Sequence, residues 1–151
     1  MRINGTRVTV LRENRNPRDI DWSGNEVSLL VDCTGAFRDP TVPADDTKGS
    51  VRGHLKSGVR KVVVSAPFKI KDESKTMPED AVTTIQGIND EAYDPEKHHI
   101  ISAASCTTTC LAFLYKVLLD HFGADTILGA SMVTVHAATP SQEVLDSLPK
   151  A

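Results

Sequence analysis

Long apolar runs, a dominant charge and a cysteine framework are all missing from this 151-residue chain. No stretch approaches the ~18 consecutive apolar residues that a membrane span needs, and residues 1–5 lack the apolar core of a secretion signal. Seventeen Lys and Arg against twenty Asp and Glu leave a formal net charge of -3. That is too little of either sign for an electrostatic nucleic-acid binder or a solvating acidic tail. Three cysteines, Cys33, Cys106 and Cys110, are too few for a disulfide framework. The absence of C-x-x-C excludes a thioredoxin-type redox pair, and the C-x-x-x-C spacing has no second Cys or His pair with which to hold a metal. The nine glycines never form G-x-G-x-x-G or G-x-x-x-x-G-K-[ST], so no phosphate-cradling loop is expected. These absences leave a cytoplasmic globular chain of one domain's size, with no nucleic-acid, membrane or metal partner.

What is present is an alternation of strand and helix signals. Asn4-Gly5 supplies the positive backbone angles of a hairpin turn and predicts a strand over residues 6–11, with an abbreviated first strand before it. Residues 11–25 read as loop. The apolar run Val27-Ser28-Leu29-Leu30-Val31, opening into Asp32-Cys33-Thr34-Gly35, has the form of a buried parallel strand that ends in a functional loop. A helix ending at Gly58 and a second strand, Lys61-Val62-Val63-Val64-Ser65, complete a βαβ unit. Any ligand belongs at the carboxyl ends of its strands, at Thr34-Gly35 and Ser65-Ala66-Pro67.

Further strands are expected at residues 83–85 and 99–102, with His98 and His99 on opposite faces. A helix follows Ser105, carrying Leu111, Leu114, Leu118 and Phe122 on one stripe and stopping at Gly123. Its apolar stripe predicts burial. Residues 126–136 read as a long strand ending at His136. The missing glycine fingerprint beside an otherwise suitable sheet leads to the expectation that the front of the domain lies outside this chain.

The richest segment chemically is Ser102-Ala103-Ala104-Ser105-Cys106-Thr107-Thr108-Thr109-Cys110-Leu111. It follows a strand end with a hydroxyl cap, Ser105, and puts Cys106 in the first turn of a helix. There the helix dipole and unpaired N–H groups favour the thiolate, and the same N–H groups can stabilise an oxyanion. Cys110, one turn on, is expected deeper on the same face, without that activation. On spacing alone both cysteines also read as small core residues, which is the commoner use of lone cysteines. A nucleophilic thiolate needs a base, and His136, at the end of Met132-Val133-Thr134-Val135, is the best placed of five histidines. A satisfied core histidine is an equal reading of it. His54 is expected on an exposed helix face.

The segment from Ser105 to Cys110, together with Val133-Thr134-Val135-His136-Ala137-Ala138-Thr139, resembles the glyceraldehyde-3-phosphate dehydrogenase family. Supporting matches are Asp32-Cys33-Thr34-Gly35-Ala36-Phe37, Gly53-His54-Leu55-Lys56-Ser57-Gly58, Lys61-Val62-Val63-Val64-Ser65-Ala66-Pro67 and Gly87-Ile88-Asn89. The resemblance covers nearly all of the chain but about half of a full family member. It implies an α/β chain, with the later part of a Rossmann-type parallel-sheet NAD domain in residues 1–104. The start of an α+β catalytic domain would occupy residues 105–151.

By the same resemblance Cys106 is the nucleophile and His136 the base. Ser105 and Thr107 hold inorganic phosphate, and Thr139 contacts the substrate phosphate. Thr34, Gly35 and Phe37 lie along the adenosine half of NAD or NADP, with Ser65 and Ala66 nearer the nicotinamide. Partners implied are a small phosphorylated aldehyde, inorganic phosphate and, for the full-length protein, three further copies in a homo-tetramer. Ala103 and Thr109 stand where the family usually has Asn, which removes two amides beside the nucleophile. Two other readings stand beside this one: a non-catalytic truncated fragment acting through interactions, and a related erythrose-4-phosphate or semialdehyde dehydrogenase.

Overall fold

In the computed structural model the described residues are 1–103 and 105–135, with Cys106 described through its backbone only. A short antiparallel ladder, β1 (Arg2–Ile3) and β2 (Thr6–Arg7), opens the chain around Asn4 and Gly5, both at positive φ. The hairpin is shorter than expected: Val8 still exchanges backbone hydrogen bonds with Met1, and residues 9–11 leave the pairing. A 3₁₀ turn at Pro17–Asp19 interrupts the following loop and is capped by the Asn16 side chain, which accepts from the Arg18 N–H.

The centre of the fold is a four-stranded sheet in the order β3 (Leu29–Asp32), β4 (Lys61–Val64), β6 (Ile100–Ser102), β5 (Ala81–Thr83), with every pairing parallel. Register explains the core. Leu30, Val62, Ile100 and Ala81 are direct cross-strand neighbours, and all four are buried on one face. Val51 and Val59 close over that face. The crossover from β3 to β4 carries the expected helix as α1 (Val51–Lys56). Ser50 caps it by accepting from the Gly53 N–H, and the prolines and aspartates before it form turns instead of extending it. Gly58 ends the crossover at φ +110, and a Cβ there would stand 2.7 Å from the Ser23 Cβ, so no other residue fits without a shift.

Asn89, in Gly87-Ile88-Asn89, holds the exit of β5: its side chain accepts from the Ile85 N–H at 2.7 Å and donates to the Thr83 carbonyl at 3.0 Å. His98 and His99 precede β6 and are not on a strand. The His98 ring instead accepts from the Asp94 N–H, closing the turn.

The chain forms two compact units, Met1–Phe113 and Leu114–Ala151. The helix expected after Ser105 is α2 (Cys106–Phe122), and Gly123, at φ +80, stops it. Two expectations here are corrected. The apolar stripe is not buried: Leu114, Leu118 and Phe122 are 63%, 45% and 58% exposed. Amphipathic spacing shows which face is ready for a partner and does not supply one. Residues 127–135 form no strand, because β-branched composition makes a ladder only beside another strand. The end of that expected strand, at His136, lies outside the described residues.

Candidate functional site at the carboxyl edge of the sheet

The register that builds the core also lines up the strand ends. Asp32, Val64, Ser102 and Thr83 are level across the sheet, so the segments that leave β3, β4 and β6 emerge along one edge. They are stitched together there. The Ser65 N–H donates to the Asp32 carbonyl at 2.9 Å, and the Ser102 hydroxyl donates to the Ala66 carbonyl at 2.9 Å. Thr34, Gly35, Phe37, Ser65 and Ala66 all follow these ends directly, and the chain enters α2 from the third. Ser105 and Thr107 are half-buried at the start of that helix, with the Ser105 carbonyl accepting from the Thr109 N–H. Cys106 is its first residue. His136 and Thr139 lie outside the described residues.

The loop after β3 is held by a carboxylate that sequence reasoning passed over. Asp32 is 3% exposed. Its Oδ1 accepts from the Thr34 N–H at 2.8 Å and from the Thr34 hydroxyl at 2.6 Å, and that hydroxyl accepts in turn from the Ala36 N–H. The turn leaves Gly35 at φ +68 with open space where a Cβ would be. A second carboxylate, Asp39, pins the far side of the loop by accepting from the N–H groups of Thr41 and Lys71 and from the Thr41 hydroxyl. Burial pushes the Asp39 carboxyl up, but these hydrogen bonds outweigh it and hold the group below the ordinary carboxylate range.

Behind the loop lies His54, which is 6% exposed, so the expectation of an exposed face is corrected. Its partners are Trp22, 32 residues away, and Asp32, 22 residues away, and no local pattern reveals either. The Trp22 indole N–H donates to His54 Nδ1 at 3.0 Å, and His54 Nε2 faces Asp32 Oδ2 at 4.0 Å. The Phe37 ring meets the imidazole edge-on, with centroids 6.1 Å apart at 82°. A cavity of about 440 Å³ is lined by Trp22, Asp32, Thr34, Ala36, Phe37 and His54 among others. The signal available in sequence was the Asp32-Cys33-Thr34 run, since an Asp two residues before a Thr can fold back on its backbone.

Cys110 is exposed, not deep, as is Cys33. Among the described residues no group of three His, Cys, Asp or Glu side chains comes together as a metal site, and no helix is long and apolar enough to cross a membrane.

A parallel α/β sheet with a loop-lined carboxyl edge, whose third strand leads into a helix headed by cysteine, defines a class of nucleotide-type α/β protein with a candidate thiol nucleophile. Residues 105–151 match the family model for the glyceraldehyde 3-phosphate dehydrogenase C-terminal domain. A glyceraldehyde-3-phosphate dehydrogenase of Streptomyces coelicolor is 41% identical over 144 residues, which is 95% of this chain and 37% of that protein. One of Geobacillus stearothermophilus is 40% identical with the same coverage. The glycosomal glyceraldehyde-3-phosphate dehydrogenase of Crithidia fasciculata is 36% identical over 97% of this chain and 35% of its own length. Over nearly all of its own length the chain is thus similar to glyceraldehyde-3-phosphate dehydrogenases, and it spans little more than a third of the length of these relatives.

Proposed function

We propose that this chain carries the nucleophile and part of the cofactor site of an NAD-dependent, phosphorylating aldehyde dehydrogenase acting on glyceraldehyde 3-phosphate. The observation that carries the reading is the common edge: the loops after β3 and β4 and the entry to α2 leave the sheet side by side. Residues through 104 belong to the cofactor domain in this reading, and residues 105–151 open the catalytic one.

Cys106, as a thiolate favoured by the start of α2, attacks the aldehyde carbon, and the resulting alkoxide takes a proton to give a thiohemiacetal. His136 takes the thiol proton, gives it to that alkoxide, and takes it back from the hydroxyl as the carbon is oxidised to a thioester. NAD, when bound, supplies the hydride acceptor. Thr34, Gly35 and Phe37 hold its adenosine half, where the positive φ of Gly35 leaves open space, and Ser65 and Ala66 lie nearer the nicotinamide. NADP remains an alternative for the same residues. Ser105 and Thr107 position inorganic phosphate, which attacks the thioester carbon and releases the Cys106 thiolate with 1,3-bisphosphoglycerate. Thr139 contacts the substrate phosphate. The reading carries with it a cytoplasmic enzyme that is a homo-tetramer at full length.

By itself the 151-residue chain is expected to show little or no turnover, because binding and positioning groups worth several kcal/mol in the relatives are spread over a much greater length. The direct test is a chimera in which residues 1–151 replace the matching segment of the Streptomyces coelicolor relative. Reduction of NAD that depends on glyceraldehyde 3-phosphate and phosphate, and that Cys106→Ser abolishes, is the expected result. A folded tetrameric chimera without that activity contradicts the proposal.

One observation favours a second reading, a non-catalytic fragment that acts through association. Leu29 and Val31 on the sheet and Leu114 and Val117 on α2 are exposed apolar residues of a kind usually covered. Light scattering on the purified chain distinguishes the two: a stable oligomer supports association, and a monodisperse monomer counts against it.

A further inference from the structure

We infer that Trp22, His54 and Asp32 form a positioning unit for residues 34–37, and that it holds this loop only while His54 is neutral. The inference rests on the proposed function for its consequence at the cofactor, but its physical content concerns the loop alone.

An indole N–H can only donate, so the 3.0 Å bond from Trp22 requires a lone pair on His54 Nδ1. The neutral ring therefore carries its proton on Nε2, directed to Asp32 Oδ2, a buried oxygen with no hydrogen-bond partner. At 4.0 Å that approach is too long for a hydrogen bond. Two arrangements of the ring thus compete. The neutral ring accepts from Trp22 and leaves Asp32 Oδ2 unpaired. The protonated ring carries N–H on both nitrogens, so it sets a donor against the indole donor while gaining attraction to Asp32. Protonation breaks the first arrangement and draws the ring about 1 Å towards the carboxylate, to the length of a charge-assisted bond.

The loop is attached at both points that move. Asp32 Oδ1 holds the Thr34 N–H and hydroxyl, and Phe37 rests edge-on against the imidazole. Arg15 and Cys33 line the same cavity. Arg18, on the 3₁₀ turn beside α1, donates to the Asp45 carbonyl, and Lys56 of α1 pairs with the Asp45 carboxylate. Burial pushes the His54 pKa down and the Asp32 charge pushes it up, with burial prevailing. The neutral arrangement is the resting one near neutral pH.

Trp22 is the chain's single tryptophan, so its emission reports this bond without interference. The test follows three signals against pH in the purified chain: Trp22 emission, the His54 ring proton and the backbone amide of Thr34. All three should move with one midpoint below 6.5, the ordinary histidine value. Trp22→Phe removes the donor that favours the neutral ring, so the His54 and Thr34 midpoints should rise together. His54→Gln should abolish the Thr34 transition. A Thr34 amide that stays still while His54 titrates overturns the inference, as does a midpoint that Trp22→Phe leaves in place. NAD binding by saturation transfer is a separate readout. A coupled loop that binds no NAD at any pH refutes the cofactor reading of residues 34–37 and leaves the positioning unit standing.

Discussion

Arg52 and Asp80 tie α1 to the start of β5, and their removal should cost the fold a measurable amount. The guanidinium meets the carboxylate through two bonds, Nη1 to Oδ2 at 2.9 Å and Nη2 to Oδ1 at 2.7 Å, while Nε donates to the Pro40 carbonyl at 2.6 Å. Charge-assisted bonds of this kind contribute about 1.5–3 kcal/mol when well shielded, and exposed pairs about 0.2–1 kcal/mol. The side chains are 24% and 31% exposed, which places the coupling between these limits, at about 1–1.5 kcal/mol. Arg52→Ala alone should cost about 2 kcal/mol, since it also leaves the Pro40 carbonyl without this donor.

The coupling must also depend on pH with a definite sign. The Arg52 hydrogen bonds hold the Asp80 carboxyl below its ordinary 3.8 against the opposing effect of burial. The unfolded chain therefore binds its proton first as pH falls. This stabilisation is complete above 3.8 and disappears as pH drops through the lower folded value. Urea unfolding of the double-mutant cycle Arg52→Ala and Asp80→Asn, near neutral pH and again below about pH 2, measures both effects. A coupling under about 0.3 kcal/mol near neutrality refutes the reasoning, as does one that persists at the acid end.

His54 should impose a second pH dependence. Its folded pKa lies below the ordinary 6.5, so the chain should lose stability as pH falls from 6.5 towards the folded value, and His54→Gln should flatten that interval in urea melts. Ile100→Ala, at a fully buried position between Val62 and Ala81, should cost about 2–5 kcal/mol. Leu29→Ala, at a 59% exposed position two strands away, should cost about 0.5 kcal/mol or less, and equal losses at the two sites contradict the assigned register.

Local signals carried the parts of the fold that local chemistry determines. The valine run of β4 reads as a strand from its β-branched composition, with Val62 and Val64 buried on one face and Lys61 and Val63 half-buried on the other. Gly123 stops α2 through its own positive φ. Features that depend on distant partners were not legible. His54 looked solvated because Trp22 and Asp32 come to it through the crossover. The α2 stripe and residues 127–135 looked buried and extended because their composition suits surfaces and strands that composition does not provide. The place of residues 34–37, 65–66 and 105–107 just after strand ends was readable, since it follows from the strand pattern alone. The Asp32-Cys33-Thr34 run carried a local signal for the turn that was passed over, whereas the burial of the carboxylate beside His54 had none.

The central claim is that Cys106 owes its chemistry to its place at the head of α2. Its rate of alkylation by iodoacetamide, followed peptide by peptide with pH in the purified chain, tests this against two internal controls. Cys33 and Cys110 are both exposed, so access alone does not favour Cys106 over them. The account predicts that Cys106 reacts fastest near neutral pH, with an apparent pKa below the ~8.5 of a free thiol, and that His136→Ala slows it. Equal rates and a common pH profile for all three cysteines would contradict it.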